Sequence, residues 1–164
     1  MLSDADDLKR VVCEIDVDVP VSEVFAAVSD PRNYGRWSPE ASGADLPTAN
    51  PLRTGDRFTG HSRLWVPWNG HCTVVDVVPE QRFSFEVRVL GVRAARWTYE
   101  TRATATGTHV TEIWDDLRTG VTGTLIKPSG LLVGRGISAR KRNAVTMAET
   151  LRRLKSDLES QPHS

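Results

Sequence analysis

Cysteine is scarce in this chain, with only Cys13 and Cys72 among 164 residues. No Cys-x-x-Cys pair exists, which excludes thioredoxin-type centres, zinc ribbons and disulfide scaffolds, and the two thiols are read as a reduced pair. The four histidines, His61, His71, His109 and His163, show no metal-ligand spacing. His61 and His71 could meet on neighbouring strands, but spacing supplies no third ligand. No serine sits in Gly-x-Ser-x-Gly, so nothing points to a catalytic triad. Apolar runs stop well short of the ~18 residues that a membrane span needs. Neither sign of charge is in excess, since Lys plus Arg and Asp plus Glu are both 21. A global field that would draw nucleic acid or an anionic membrane is therefore missing. The opening MLSDADDLKR is acidic and polar, unlike a secretory signal. The expectation is a cytoplasmic protein with no cofactor, no metal, no nucleic-acid partner and no integral membrane association, as a monomer or homodimer.

What is present is periodicity. Val11, Cys13, Ile15, Val17 and Val19 alternate with Glu14, Asp16 and Asp18, as in a half-buried strand. Pro20 stops it, and Ser22 is the expected N-cap of a short helix carrying Val24, Phe25 and Val28. Asp30-Pro31 starts a second, which ends near Trp37. Residues 41–54 read mostly as loop, with a short strand expected at most near Ser42–Leu46. Further strands follow over 56–64, 71–78, 82–90, 93–106 and 109–118, each joined to the next by a short turn. A glycine-rich apolar stretch, 119–136, precedes a long amphipathic helix over about 137–158. The pattern is an α+β domain over 10–158, with flexible ends at 1–9 and 159–164. Its antiparallel sheet of six or seven strands curves around the final helix.

Several segments in this order resemble one family. They are Pro20–Pro31 with Trp37-Ser38-Pro39-Glu40, Gly55–Gly60, Val78–Phe85, Trp97–Glu100, Thr111-Glu112 and Thr150–Lys155. Together they are similar to the START-like (SRPBCC) superfamily, in particular its bacterial polyketide cyclase/dehydrase and lipid-transport branch. The resemblance implies a helix-grip fold with a cavity between sheet and helix. It implies no single activity, because one fold carries many functions.

Candidate site residues come from strand parity. Phe83 and Phe85 share a face with Val87 and Val89, Trp97 and Tyr99 share one with Ala95, and Phe58 and Gly60 share one with Ser62 and Leu64. If these faces are concave they form an apolar wall with a few hydroxyls, the composition of a small-molecule pocket. The alternative is a filled core. Val145, Ala148 and Leu151 are expected to line the pocket from the last helix. Tyr99 offers one oriented hydroxyl. His71, opposite in parity to Asp76, is expected to point inward. Glu112 is expected at the surface, because an inward carboxylate is costly; burial would raise its pKa and make it an acid or base. Arg135, Arg140, Lys141 and Arg142 are read as a solvated helix end, and residues 119–136 as a gate.

These readings lead to a non-catalytic module that binds or transports a hydrophobic small molecule such as a lipid, polyketide or aromatic metabolite. One alternative is a polyketide cyclase, aromatase or dehydratase using Tyr99, His71 or Glu112. Another is a protein-interaction module.

Overall fold

The alternation of RVVCEIDV makes β1 (Arg10–Val17), and the rigid φ of Pro20 turns the chain into α1 (Val21–Val28). The computed structural model describes residues 9–47, 50–63, 69–118 and 139–162. Leu64, Trp65, Trp68 and the expected gate at 119–136 lie outside the described residues. Pro20 itself occupies the N-cap position of α1, so Ser22 lies inside the helix rather than capping it. Asp30 does cap the next turn, its carboxylate accepting from the Arg32 N–H at 3.1 Å. A 3-10 turn (Pro31–Asn33) then runs into α2 (Tyr34–Trp37).

Six more strands follow: β2 (Ala41–Asp45), β3 (Arg57–Ser62), β4 (Asn69–Val78), β5 (Arg82–Val89), β6 (Val92–Ala103) and β7 (Thr108–Asp116). They form one antiparallel sheet in the order β1-β7-β6-β5-β4-β3-β2, a meander whose last strand turns back onto the first. The sequence of β2, ASGAD, has little intrinsic strand preference. It becomes a strand because β3 supplies a ladder partner. Register shifts between Val74 and Asp76 in β4. Such a bulge reverses which side chains face the core on either side of it.

The final helix, α3 (Ala139–Glu159), lies in the curl of the sheet and buries Asn143, Met147, Thr150, Leu151, Leu154 and Leu158. One end of the interior is closed by α1 and α2. There Val24, Val28 and Trp37 pack with Val17, Val19, Val110 and Leu154. Gly107 makes this closure possible. A Cβ at that position would collide with the Val17 carbonyl oxygen, where the β6–β7 turn passes under the end of β1. Polar contacts help hold α3 along β1: Lys155 Nζ donates to the Asp16 carbonyl at 2.7 Å, and the Asp18 N–H donates to Glu159 at 2.9 Å.

Candidate functional site

Strands and helices both contribute to the inner wall. On β5, Phe83, Phe85 and Val87 face inward, and Phe85 meets Phe58 of β3 edge-on at 5.2 Å between ring centroids. On β6, Tyr99 is buried and Trp97 is half-buried beside it. Gly60 lies near Cys72, whose Sγ would be 3.5 Å from a Cβ placed there, so a methyl group would fit. Leu151 comes from α3 and is fully buried. Phe58, Phe83 and Phe85 thus share one packed cluster with Trp97 against it, while Tyr99 and Leu151 belong to a neighbouring one.

Tyr34 was not among the residues expected there. It projects from α2, with its ring stacked on Phe85 at 5.9 Å and tilted against Tyr99 at 5.6 Å. Its hydroxyl donates to the Val28 carbonyl at 2.8 Å, which fixes the ring. The signal in the sequence was its three-residue spacing from Trp37, which puts both on one helix face.

Glu112 is the chemically distinctive group. It shares its face of β7 with Val110 and Trp114, all three buried, and pairs in register with Cys13 of β1 and Tyr99 of β6. The expectation of a solvent-exposed carboxylate is therefore wrong: only 2% of the residue is exposed. The inward phase is set by Val110 and Trp114, whose burial outweighs the cost of one carboxyl. Oε1 accepts the Tyr99 hydroxyl at 2.9 Å, while Oε2 is buried without a hydrogen-bond partner. Burial pushes the carboxyl up to about 8, even though the Tyr99 hydrogen bond favours its charged form. At neutral pH the group is mostly the uncharged acid, with one O–H to donate. Burial likewise raises Tyr99 well above its ordinary value, and the nearby Glu112 adds to the effect.

Three other expectations are corrected. His71 is exposed on the outer face of β4, paired with Thr59 and Arg88. Parity counted back from Asp76 failed because it crossed the bulge at Val74/Asp76. Val145 is 71% exposed, and Ala148 is also exposed. The stripe Met147–Leu151–Leu154–Leu158 sets the inner face of α3. At about 100° per residue, Val145 and Ala148 are turned away from it.

The outer face of the sheet carries grooves lined by charged side chains. One of about 400 Å³ is lined in part by Arg10, Asp76, Arg82, Arg96, Glu100 and Asp115. These charges pair among themselves or with Glu86: Arg10 with Asp115, Arg82 with Asp76 and Glu100, and Arg96 with Glu86. Among the described residues no group of three or more His, Cys, Asp or Glu side chains is placed to hold a metal ion. Nor is any described helix long and apolar enough to cross a membrane.

Comparisons with known proteins agree with this architecture. A family model described as polyketide cyclase / dehydrase and lipid transport matches residues 9–159. Among solved structures, a Nitrosomonas europaea protein is 16% identical with a TM-score of 0.67, covering 99% of this chain and 100% of its own. A Mesorhizobium loti protein is 17% identical with a TM-score of 0.65, covering 94% and 100%. The solution structure of a polyketide-cyclase-like protein of Corynebacterium glutamicum is 22% identical with a TM-score of 0.63, covering 94% and 97%. At these identities the structures establish the helix-grip fold alone. No curated protein matches the sequence.

Proposed function

The chain belongs to the polyketide cyclase/dehydrase and lipid transport family, and on that premise we propose that it binds a hydrophobic small molecule between the sheet and α3. The observation that carries this reading is Glu112. A buried carboxyl with one oxygen bonded by Tyr99 and the other unmatched costs roughly 1–3 kcal/mol. Nothing in the packing of Val110 and Trp114 requires an acid between them. As a neutral acid anchored by Tyr99, it is suited to donate to a carbonyl or hydroxyl oxygen of an otherwise apolar ligand. Phe58, Phe85, Trp97 and Tyr34 supply flat surface for its body.

Titration with 1-aminoanthracene, an apolar fluorophore, tests the location. Saturable one-to-one uptake is expected, with energy transfer from Trp97 and Trp114. Gly60→Phe, which projects a ring into the same interior, should weaken uptake at least tenfold while circular dichroism is unchanged. Equal binding by the Gly60→Phe protein would place the site elsewhere.

A second reading is favoured by the Tyr99–Glu112 pair itself. A carboxyl titrating near 8 beside a tyrosine hydroxyl is suited to proton transfer next to a ligand carbonyl, as in a cyclase or dehydratase. The readings part in Glu112→Gln. A carrier loses only affinity, whereas an enzyme also loses deuterium exchange at the methylene of bound 1-phenylbutane-1,3-dione.

A further inference from the structure

A second groove on the outer face, of about 470 Å³, lies over β2, β3, β4 and β5. Strand register brings its polar side chains together. Asp45, Thr59, His71 and Arg88 form one row across those strands, and Arg57 is paired with Thr73 in the next. All of them line the groove. Phe58 and Cys72, buried in the interior cluster, border it as well.

Its charges are unlike those of the neighbouring groove. There Arg10, Arg82 and Arg96 are each paired with carboxylates. Here no carboxylate among the described residues pairs with Arg57 or Arg88. The acid on this groove, Asp45, lies 2.8 Å from His61 Nε2. Hydrogen bonds with Asn69 and Asp45 raise the His61 pKa and so favour the charged ring, which offsets Asp45. Glu86, in register with Thr73, is already taken by Arg93 and Arg96. Positive charge is therefore left over in this groove.

Arg88 is also set in place beforehand. It stands where the register of β5 against β6 shifts, and such bulges re-aim a side chain. Its Nη1 donates to the Gly91 carbonyl at 3.2 Å, which steadies the guanidinium. Two guanidinium groups, an imidazole and two threonine hydroxyls thus border one space from β3, β4 and β5. A carboxylate offers two oxygens in one plane. A phosphoryl dianion offers three around a tetrahedron, which suits donors that arrive from several sides. Leu46 and Pro47 add apolar surface to the same groove.

From these observations we infer that the groove is a second binding site, and that its ligand is a phosphate monoester of a small, partly apolar molecule. The phosphoryl group lies over His71 and Thr73 between Arg57 and Arg88, with the body of the ester against Leu46 and Pro47. This site belongs to the outer face and does not depend on what the interior holds.

Amide NMR shifts during titration with phenyl phosphate, at about 0.15 M salt, test the assignment. Saturable shifts are expected at Thr59, His71, Thr73 and Arg88, with benzoate weaker by about tenfold. Arg57→Gln and Arg88→Gln should each weaken phenyl phosphate by about tenfold. Arg82→Gln removes the same charge from the neighbouring groove and should change affinity by less than about twofold. Equal losses in Arg57→Gln and Arg82→Gln would reduce the attraction to the general charge of the face and overturn the site. Benzoate binding as tightly as phenyl phosphate to the wild-type protein would overturn the phosphoryl assignment, and that comparison needs no variant. Binding to vesicles containing phosphatidic acid, without any response to phenyl phosphate, would overturn the small-molecule assignment and place the phosphoryl group on a lipid. No response to either probe removes the site.

Discussion

Glu112→Gln is expected to make the protein markedly more stable at pH 8 while changing little near pH 4.5. In the folded state the carboxyl is raised from 4.5 to about 8, so it keeps its proton where the unfolded chain loses it. Stability from this group is therefore fully present below the unfolded value and declines as pH rises through the window from 4.5 to about 8. The decline is about 1.4 kcal/mol per pH unit, up to about 5 kcal/mol in total, and relaxation around the site will lessen it. Urea unfolding of both proteins at several pH values measures it. Groups of the opposite kind appear in both proteins and cancel in the comparison. Glu86, held low by its Arg93 hydrogen bond against burial and helped by Arg96, loses its contribution only as the medium becomes acidic. Parallel profiles for wild type and Glu112→Gln would mean that the carboxyl is hydrated.

Trp37→Ala should be the most damaging single truncation away from the ligand wall. The side chain is fully buried where α2 meets α3, and its Nε1 donates to Asp157 Oδ2 at 2.9 Å. Asp157 also takes the Arg36 guanidinium at 2.6 Å. Removal leaves a cavity among Val24, Val28 and Leu154 and deprives Asp157 of one donor. Losses of about 3–5 kcal/mol are typical of such a change. For a chain of this size they lower Tm by about 6–20 °C. Trp37→Phe keeps most of the volume and should cost less, reporting mainly the hydrogen bond. A Trp37→Ala protein that melts within about 2 °C of wild type would contradict this view of the closure.

The order of elements was legible because period-two and period-3.6 patterns are local. Val11 to Val17 announces β1 without knowledge of its partner, and Asp30-Pro31 announces its own cap. What failed depends on partners distant in sequence. The bulge in β4 is set by pairing with β5, and it turned His71 outward against the parity of its own strand. β2 exists because β3 is beside it. The phase of α3 was blurred because its buried face includes Asn143 and Thr150, which look like surface residues, while its exposed face includes Val145. Glu112 was misassigned because charged residues are given to solvent by default, and it stands out because it departs from that default.

Glu112 sits as an uncharged acid in the interior between the sheet and α3. The most direct measurement is the side-chain carboxyl carbon of Glu112, followed by NMR from about pH 4 to about pH 9, with and without saturating 1-aminoanthracene. The expected result is a midpoint near 8 in the free protein that shifts when the fluorophore is bound. A midpoint in the ordinary carboxylate range of about 4.3, unmoved by the fluorophore, would contradict the account.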